Sequence, residues 1–405
     1  MMSEKKQIYL DFDEYIRQGE PSKREAAYEW STAIGLQAVD GLKTSDYLND
    51  LARRNIEGEI TIDEVGHLLD AYYESKTVRE ADDDDKREAD KASKNIKKIL
   101  AVRTFDFSTN GYISIHRRIF DGVLLRAGKL RNYDITKKEW ILRGDTVHYL
   151  NWEDLRRALD YDIEQEKTFD HTQLSLEEFV QHLSQFVSGI WQIHAFGEGN
   201  TRTTAVFTIQ YLRTLGFNVE NDLFAKHSWY FRNALVRANY SNYQQKITRN
   251  TSFLEKFFRN LLLGEHNELK NRYMVINPPE EWGLQSTPQE EEQVQYRTSA
   301  EQVPNKLRTS YEPNGDDRSC LPLQEVPEQL RQLLMAVGKE RMTLKQMMEK
   351  MELKHRPNFI ENYVDPAIKD GFLRLLYPDK PNHPRQKYLL TVKGALLYNE
   401  LLQDN

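Results

Sequence analysis

Residues 194–202 read His-Ala-Phe-Gly-Glu-Gly-Asn-Thr-Arg, which puts a base, a carboxylate, two glycines, an amide and a guanidinium within one short stretch. An imidazole with its ordinary pKa of about 6.5 can take a proton from an attacking hydroxyl. A carboxylate such as Glu198 can hold a divalent cation, and an arginine such as Arg202 can bind phosphate through paired N–H donors. Gly199 permits backbone geometry closed to other residues, so consecutive N–H groups can converge on an anion at the start of a following helix. Singly, these residues have plainer readings. A histidine near Trp191 and Phe196 is more often a packed core residue, and Gly199-Asn200 is more often just a turn. Their order, between the apolar runs Phe186–Trp191 and Ala205–Leu212, favours a helix, a chemically loaded turn and a second helix.

The segment resembles the signature of Fic (Fido) domain proteins, His-x-Phe-x-(Asp/Glu)-Gly-Asn-(Gly/Lys)-Arg-x-x-Arg. His194, Phe196, Glu198, Gly199, Asn200 and Arg202 match, and the commonly found Thr203 follows. Thr201 stands in place of a small or basic residue, and Ala205 in place of the second arginine. The resemblance covers roughly residues 95–265. It implies a mainly helical domain that transfers AMP from ATP to a Ser, Thr or Tyr hydroxyl of a target protein and releases pyrophosphate. His194 would be the general base and Glu198 the Mg²⁺ ligand. Gly197, Glu198, Gly199, Asn200, Thr201 and Arg202 would surround the phosphates.

The family's second arginine binds the terminal phosphate and pairs with an inhibitory glutamate, and a methyl group at 205 can do neither. Thr204 or a lysine from elsewhere is the available substitute. The loss keeps two alternatives open: another Fic-type transfer (phosphorylation or removal of AMP), or a nucleotide-sensing regulator acting through the C-terminal module. Intact His194, Glu198 and Arg202 argue against the sensor, which needs no base.

Other elements must position this turn. Helical periodicity dominates from Ile96 to Leu263, interrupted at 131–150 by β-formers around a Gly-Asp turn, which predicts a hairpin. By resemblance this is a flap whose residues Arg143, Gly144, Asp145, Thr146 and Val147 take the target's backbone as an added strand. The aromatic segment Ser228–Leu235 suits either an adenine pocket or a core helix. Upstream, residues 31–65 are similar to the small antitoxins that inhibit Fic toxins. Two inhibitory candidates follow: Asp40, in Leu36-x-x-x-Asp40-Gly41, fits by position, and Glu57, in Arg53-x-x-x-Glu57-Gly58, fits by chemistry. Both also read simply as helix ends capped by glycine. Thr61 and Glu64 predict a capping box. The acidic stretch Asp82–Lys91 reads as a solvated helix face rather than an ion site.

A chain of 405 residues is long enough for several domains. The expected division is a regulatory segment over 1–80, a catalytic domain over 81–276, a linker over 277–325 and a C-terminal domain over 326–405. The last shows the helix–helix–helix–strand–basic loop–strand–helix order of a winged helix. Its loop carries Lys380, His383, Arg385 and Lys387, but the candidate recognition helix Asn358–Asp365 is acidic and apolar. With a net charge of −7, protein docking or homo-oligomerisation is favoured over DNA binding. No apolar run approaches the roughly 20 residues that cross a bilayer, and no secretory h-region is present. The single Cys320 excludes an intramolecular disulfide, which makes the cytoplasm the expected location.

Overall fold

The computed structural model describes residues 12–76, 82–219, 222–279 and 326–403. Most of the expected linker, including Cys320, lies outside the described residues. The fold is mainly helical. Its N-terminal part comprises α1 (Asp13–Gln18), α2 (Pro21–Gly35), a 3₁₀ turn over Leu36–Asp40, α3 (Asp46–Ile56) and α4 (Ile62–Ser75). The central part comprises α5 (Asp83–Leu100), α6 (Thr109–Ile119), α7 (Leu155–Thr168), α8 (Leu176–Ile193), α9 (Asn200–Thr214), α10 (Leu223–Lys226), α11 (Ser228–Asn239) and α12 (Ser252–Leu263).

Burial explains the layering. Every residue of α9 from Asn200 to Leu212 is buried, as expected of a helix surrounded by others rather than one with a single apolar stripe. Helices α5, α6, α8 and α11 contribute to the same core around it. A second, smaller core holds Trp30, Leu48, Leu51, Val65 and Leu69 of the N-terminal helices. Ala33 and Leu36 belong instead to the main core, so the end of α2 and the following 3₁₀ turn plug the N-terminal helices into the centre. Ser228 Oγ donates to Gly35 O at 2.8 Å and fixes that plug against α11. The capping box at Thr61 and Glu64 forms as expected.

The acidic stretch is not simply solvated. Asp83 is buried beside Lys76 at 2.6 Å. Buried Asp90 accepts from Ser45 N (2.8 Å), Ser45 Oγ (2.5 Å) and Tyr73 OH (2.7 Å). Burial pushes the Asp90 carboxyl above its usual range, against these hydrogen bonds. Charge composition alone did not reveal that α5 turns one acidic face inward.

The C-terminal module follows the expected order: α13 (Glu328–Val337), α14 (Leu344–Lys350), α15 (Arg356–Phe359) running through a π turn into α16 (Asp365–Lys369), β1 (Leu373–Leu375), β2 (Tyr388–Leu390) and α17 (Val392–Gln403). β1 and β2 pair antiparallel with Leu373 opposite Leu390. The module's apolar side joins the main core, and Lys393 N donates to Leu215 O at 3.0 Å.

The paired strands expected over 131–150 do not form. The segment is an irregular two-armed loop with a 3₁₀ turn at Trp140–Leu142. Its arms meet through Glu139 N to Asp145 O (2.9 Å) and Gly144 N to Glu139 O (3.0 Å). The tip is pulled into the protein instead of being left to zip. Ile141 and Leu142 are buried in the core, and Arg232 grips Glu139 through both carboxylate oxygens at 2.7 and 3.1 Å. Tyr240 OH donates to Asp145 at 2.7 Å.

Candidate functional site

Helix α8 ends at His194, whose backbone is left-handed (φ 50, ψ 56). That conformation is costly for a residue with a side chain and tends to persist where a site requires it. Loop residues 195–199 then turn the chain into α9. Gly199 (φ 70) caps this helix, and a Cβ there would come within 2.2 Å of the Phe120 ring. The Arg202 guanidinium stands over the same ring at 4.7 Å, so Gly199 permits both the turn and this stacking. Asn200 braces the loop with both ends of its amide: Oδ1 accepts from Phe196 N (3.0 Å) and Nδ2 donates to Phe196 O (2.8 Å). Thr201 Oγ1 accepts from Trp191 Nε1 at 3.0 Å. The first N–H groups of α9 lie at the loop end of the helix, where no earlier turn supplies acceptors.

His194 is 3% exposed, and neither ring nitrogen has a hydrogen-bond partner. Tyr149 lies against its ring at a centroid distance of 4.1 Å. Burial lowers its pKa well below the ordinary value, and the charges of Lys137 and Arg131 add to the effect. The imidazole is therefore neutral at pH 7. An unsatisfied buried polar group costs about 1–3 kcal/mol, so the arrangement is one that an incoming hydroxyl or phosphate would complete.

Two residues outside the motif hold it in place, and a third lies close enough to act on it through its charge. Buried Arg131 donates from Nε to His194 O (2.8 Å), and its other nitrogens reach Tyr133 O (2.6 Å) and Leu150 O. It thus joins the base of the two-armed loop to the motif. His116 accepts from Gly128 N at Nδ1 (2.8 Å), so its proton sits on Nε2, facing Glu198 O at 3.2 Å. It also stacks on Phe196 at 3.7 Å. Burial depresses its pKa to about 4. Lys137, on the first arm of the loop, makes no direct hydrogen bond or ion pair through its side chain among the described residues. Desolvation lowers its pKa, and the charges it feels are those of Asp40, Arg232, Glu139 and Glu198. Nothing in sequence spacing marks these three residues; His116 and Arg131 would pass for core and surface residues respectively.

Arg202 is buried among acceptors, with hydrogen bonds from both terminal nitrogens and an ion-pair contact without hydrogen-bond alignment at Nε. Its NH1 donates to Gln37 Oε1 (2.9 Å), its NH2 to Glu88 Oε1 (2.8 Å), and its Nε lies 2.8 Å from Asp40 Oδ2. Of the two inhibitory candidates, Asp40 therefore lies against the motif. Glu57 does not: it pairs with Lys23 at 2.5 Å on the exposed side of the N-terminal helices. Both Gly41 and Gly58 have positive φ at their helix ends, so the capping role holds at each site, and at Asp40 an ion pair is added. The Glu198 side chain is exposed and free of ion pairs among the described residues. Gly197 packs beneath Tyr133, whose hydroxyl a Cβ would meet at 2.7 Å.

At the tip of the loop, Arg143, Gly144 and Asp145 are exposed, Thr146 is half-buried and Val147 faces the core. Position 205 is fully buried. Thr204 is tied to Tyr112 at 3.0 Å in the core and cannot stand in for the absent arginine. In Ser228–Leu235 the core reading holds for Tyr230, Phe231, Ala234 and Leu235. Only Trp229 of its aromatics is exposed.

Comparison with known proteins gives two family matches. Residues 106–212 match the Fic/DOC family, and residues 328–391 match "Filamentation induced by cAMP protein Fic-like, C-terminal domain". A solved structure of a Fic family protein from Desulfovibrio desulfuricans G20 aligns over 92% of this chain and 88% of that one, with 17% identity and a TM-score of 0.38. No curated protein matches the chain. Among the described residues no helix is long and apolar enough to cross a membrane.

Proposed function

We infer that this chain, which carries a Fic/DOC domain of the type that transfers nucleotide or phosphate groups to proteins, is a protein adenylyltransferase held in check by its own N-terminal segment. The observation that carries the reading is a neutral, buried His194 with two unpartnered nitrogens, set beside the start of α9. His194 accepts the proton as a target Ser, Thr or Tyr oxygen attacks the α-phosphorus of ATP. The bond to the β-phosphate breaks, and pyrophosphate leaves. An anionic triphosphate beside the imidazole raises its depressed pKa, which makes it a better base once substrate is bound.

The N–H groups of Asn200, Thr201 and Arg202 donate to phosphate oxygens. Glu198, exposed and unpaired, suits a hard divalent cation, and Mg²⁺ there would neutralise phosphate charge. Lys137 supplies the cation that position 205 lacks. It is partly desolvated, close enough to feel Glu198, and not committed to a direct partner. The exposed tip at Arg143–Asp145 is the place for the target's backbone.

Asp40 and Gln37 occupy the Arg202 donors that a phosphate needs, so ATP binding requires the 3₁₀ turn over Leu36–Asp40 to withdraw. Glu88, on α5, holds the third contact and remains when the N-terminal helices are removed. ATP labelled in the α-phosphate, set beside ATP labelled in the γ-phosphate, tests the reading with the full chain and its Asp40→Ala variant. Protein-bound α-label with no γ-label is expected. Transfer of γ-label would make the enzyme a kinase, and label in neither would leave the loop without the proposed chemistry.

A further inference from the structure

Toward the N-terminal end of α8, away from the motif at its C-terminal end, three metal-ligating side chains converge. Glu166 near the end of α7, His171 in the connector that follows, and His182 on α8 place one ligand atom each within 4.8 Å of the others. His171 Nε2 lies 2.9 Å from Glu166 Oε1, and His182 Nε2 lies 2.7 Å from Oε2. Tyr211 OH, from α9, donates to Oε1 at 2.5 Å.

We propose that Glu166, His171 and His182 form a binding site for a divalent transition-metal ion, most suitably Zn²⁺, separate from the nucleotide loop. Two imidazoles and one carboxylate are a known zinc donor set, with water in the fourth position. The nitrogen ligands disfavour Mg²⁺ and Ca²⁺, which prefer all-oxygen shells. Aromatic side chains also pack against both ligand rings. Phe169 stacks on His182 at 4.0 Å, and Phe179 meets His171 edge-on at 6.0 Å. Tyr211 orients the carboxylate.

Tetrahedral bonds of about 2.0–2.2 Å set ligand atoms roughly 3.3 Å apart, so the present 2.7 Å from His182 Nε2 to Oε2 and 2.9 Å from His171 Nε2 to Oε1 must widen by about 0.4–0.6 Å as the two rings turn toward a shared ion. The half-buried His182 provides that freedom and the entry route. On binding, the Nε2 hydrogens that face Glu166 move to Nδ1 or leave to water, and nothing is oxidised or reduced. The ion would lock the α7–α8 elbow, on which the C-terminal module rests. Asn399 Nδ2 donates to Thr172 O (3.0 Å) and Leu174 O (2.9 Å), and Leu176 N donates to Glu400 (3.1 Å).

Co²⁺ titration of the chelator-treated full chain tests this, with visible d–d absorption as the signal. The wild type should take up one equivalent with the intense bands of a low-coordinate site, and Zn²⁺ should displace it and raise the melting temperature. His182→Gln keeps an amide donor for Glu166 but removes the ligand. It should melt like the wild type in chelator and bind Co²⁺ more than about a hundredfold more weakly, beyond what loss of an orienting hydrogen bond costs. A wild type that takes up neither ion overturns the proposal and leaves a hydrogen-bonded network only. Undiminished binding by His182→Gln, or binding abolished by Glu198→Ala, overturns it as well.

Discussion

The loop over 194–200 has two buried histidines beside it, and they are satisfied in opposite ways. His116 uses both nitrogens, one toward Gly128 and one toward Glu198 O, and stacks on Phe196. His194, equally buried, uses neither. Burial lowers the pKa of both. A histidine with two backbone partners holds the loop in shape, whereas one with none costs stability unless a substrate completes it. Burial and titration therefore do not separate a structural histidine from a catalytic one. Hydrogen-bond accounting does.

Substituting each histidine should break the comparison most sharply. His194→Ala is expected to lower transfer by about 10²–10⁴-fold, the usual contribution of a general base. It should leave the melting temperature unchanged or raised, because two unsatisfied nitrogens disappear. His116→Ala should instead destabilise the fold by about 2–4 kcal/mol through a cavity and two lost hydrogen bonds. Thermal unfolding of the pair, read beside product yield, checks both.

Acid titration refines the same contrast. His116 has a folded-state pKa of about 4 against roughly 6.5 when unfolded, so the unfolded chain binds more protons between those values. Its contribution is intact above pH 6.5 and is lost as pH falls toward 4, about 3 kcal/mol in all. His194 titrates in the same direction. Denaturant unfolding at pH 7 and pH 4.5 should show the loss, and His116→Gln should reduce it.

A second pair of look-alike sites lies in the N-terminal segment. Asp40→Ala should free an Arg202 donor and tighten ATP binding about tenfold, within the 1–3 kcal/mol of a typical coupling. Adding Glu88→Gln should increase the gain. Glu57→Ala, on the solvent side, should change neither ATP affinity nor melting temperature. Calorimetric titration with ATP distinguishes these variants.

The sequence made the central turn readable because its chemistry is local: His194, Gly199, Asn200 and Arg202 sit where spacing places them, and α8 and α9 follow from apolar periodicity. The order of helices and strands in the C-terminal module was legible for the same reason. The two-armed loop was misread because its β-forming residues describe local preference, whereas Arg232 and Tyr240, about a hundred positions downstream, pull its tip inward. Asp40 lies against the motif, with the first arginine, Arg202, as its partner rather than the one missing at 205. Glu88, Arg131 and Lys137 were invisible because each acts through residues distant in the chain.

Intact-mass analysis of the Asp40→Ala chain after incubation with ATP and Mg²⁺, with and without the further change His194→Ala, tests the central claim most directly. We predict an added mass of roughly 329 Da, that of an AMP group, present with His194 and absent without it. Persistence of that product in the His194→Ala chain would contradict the account.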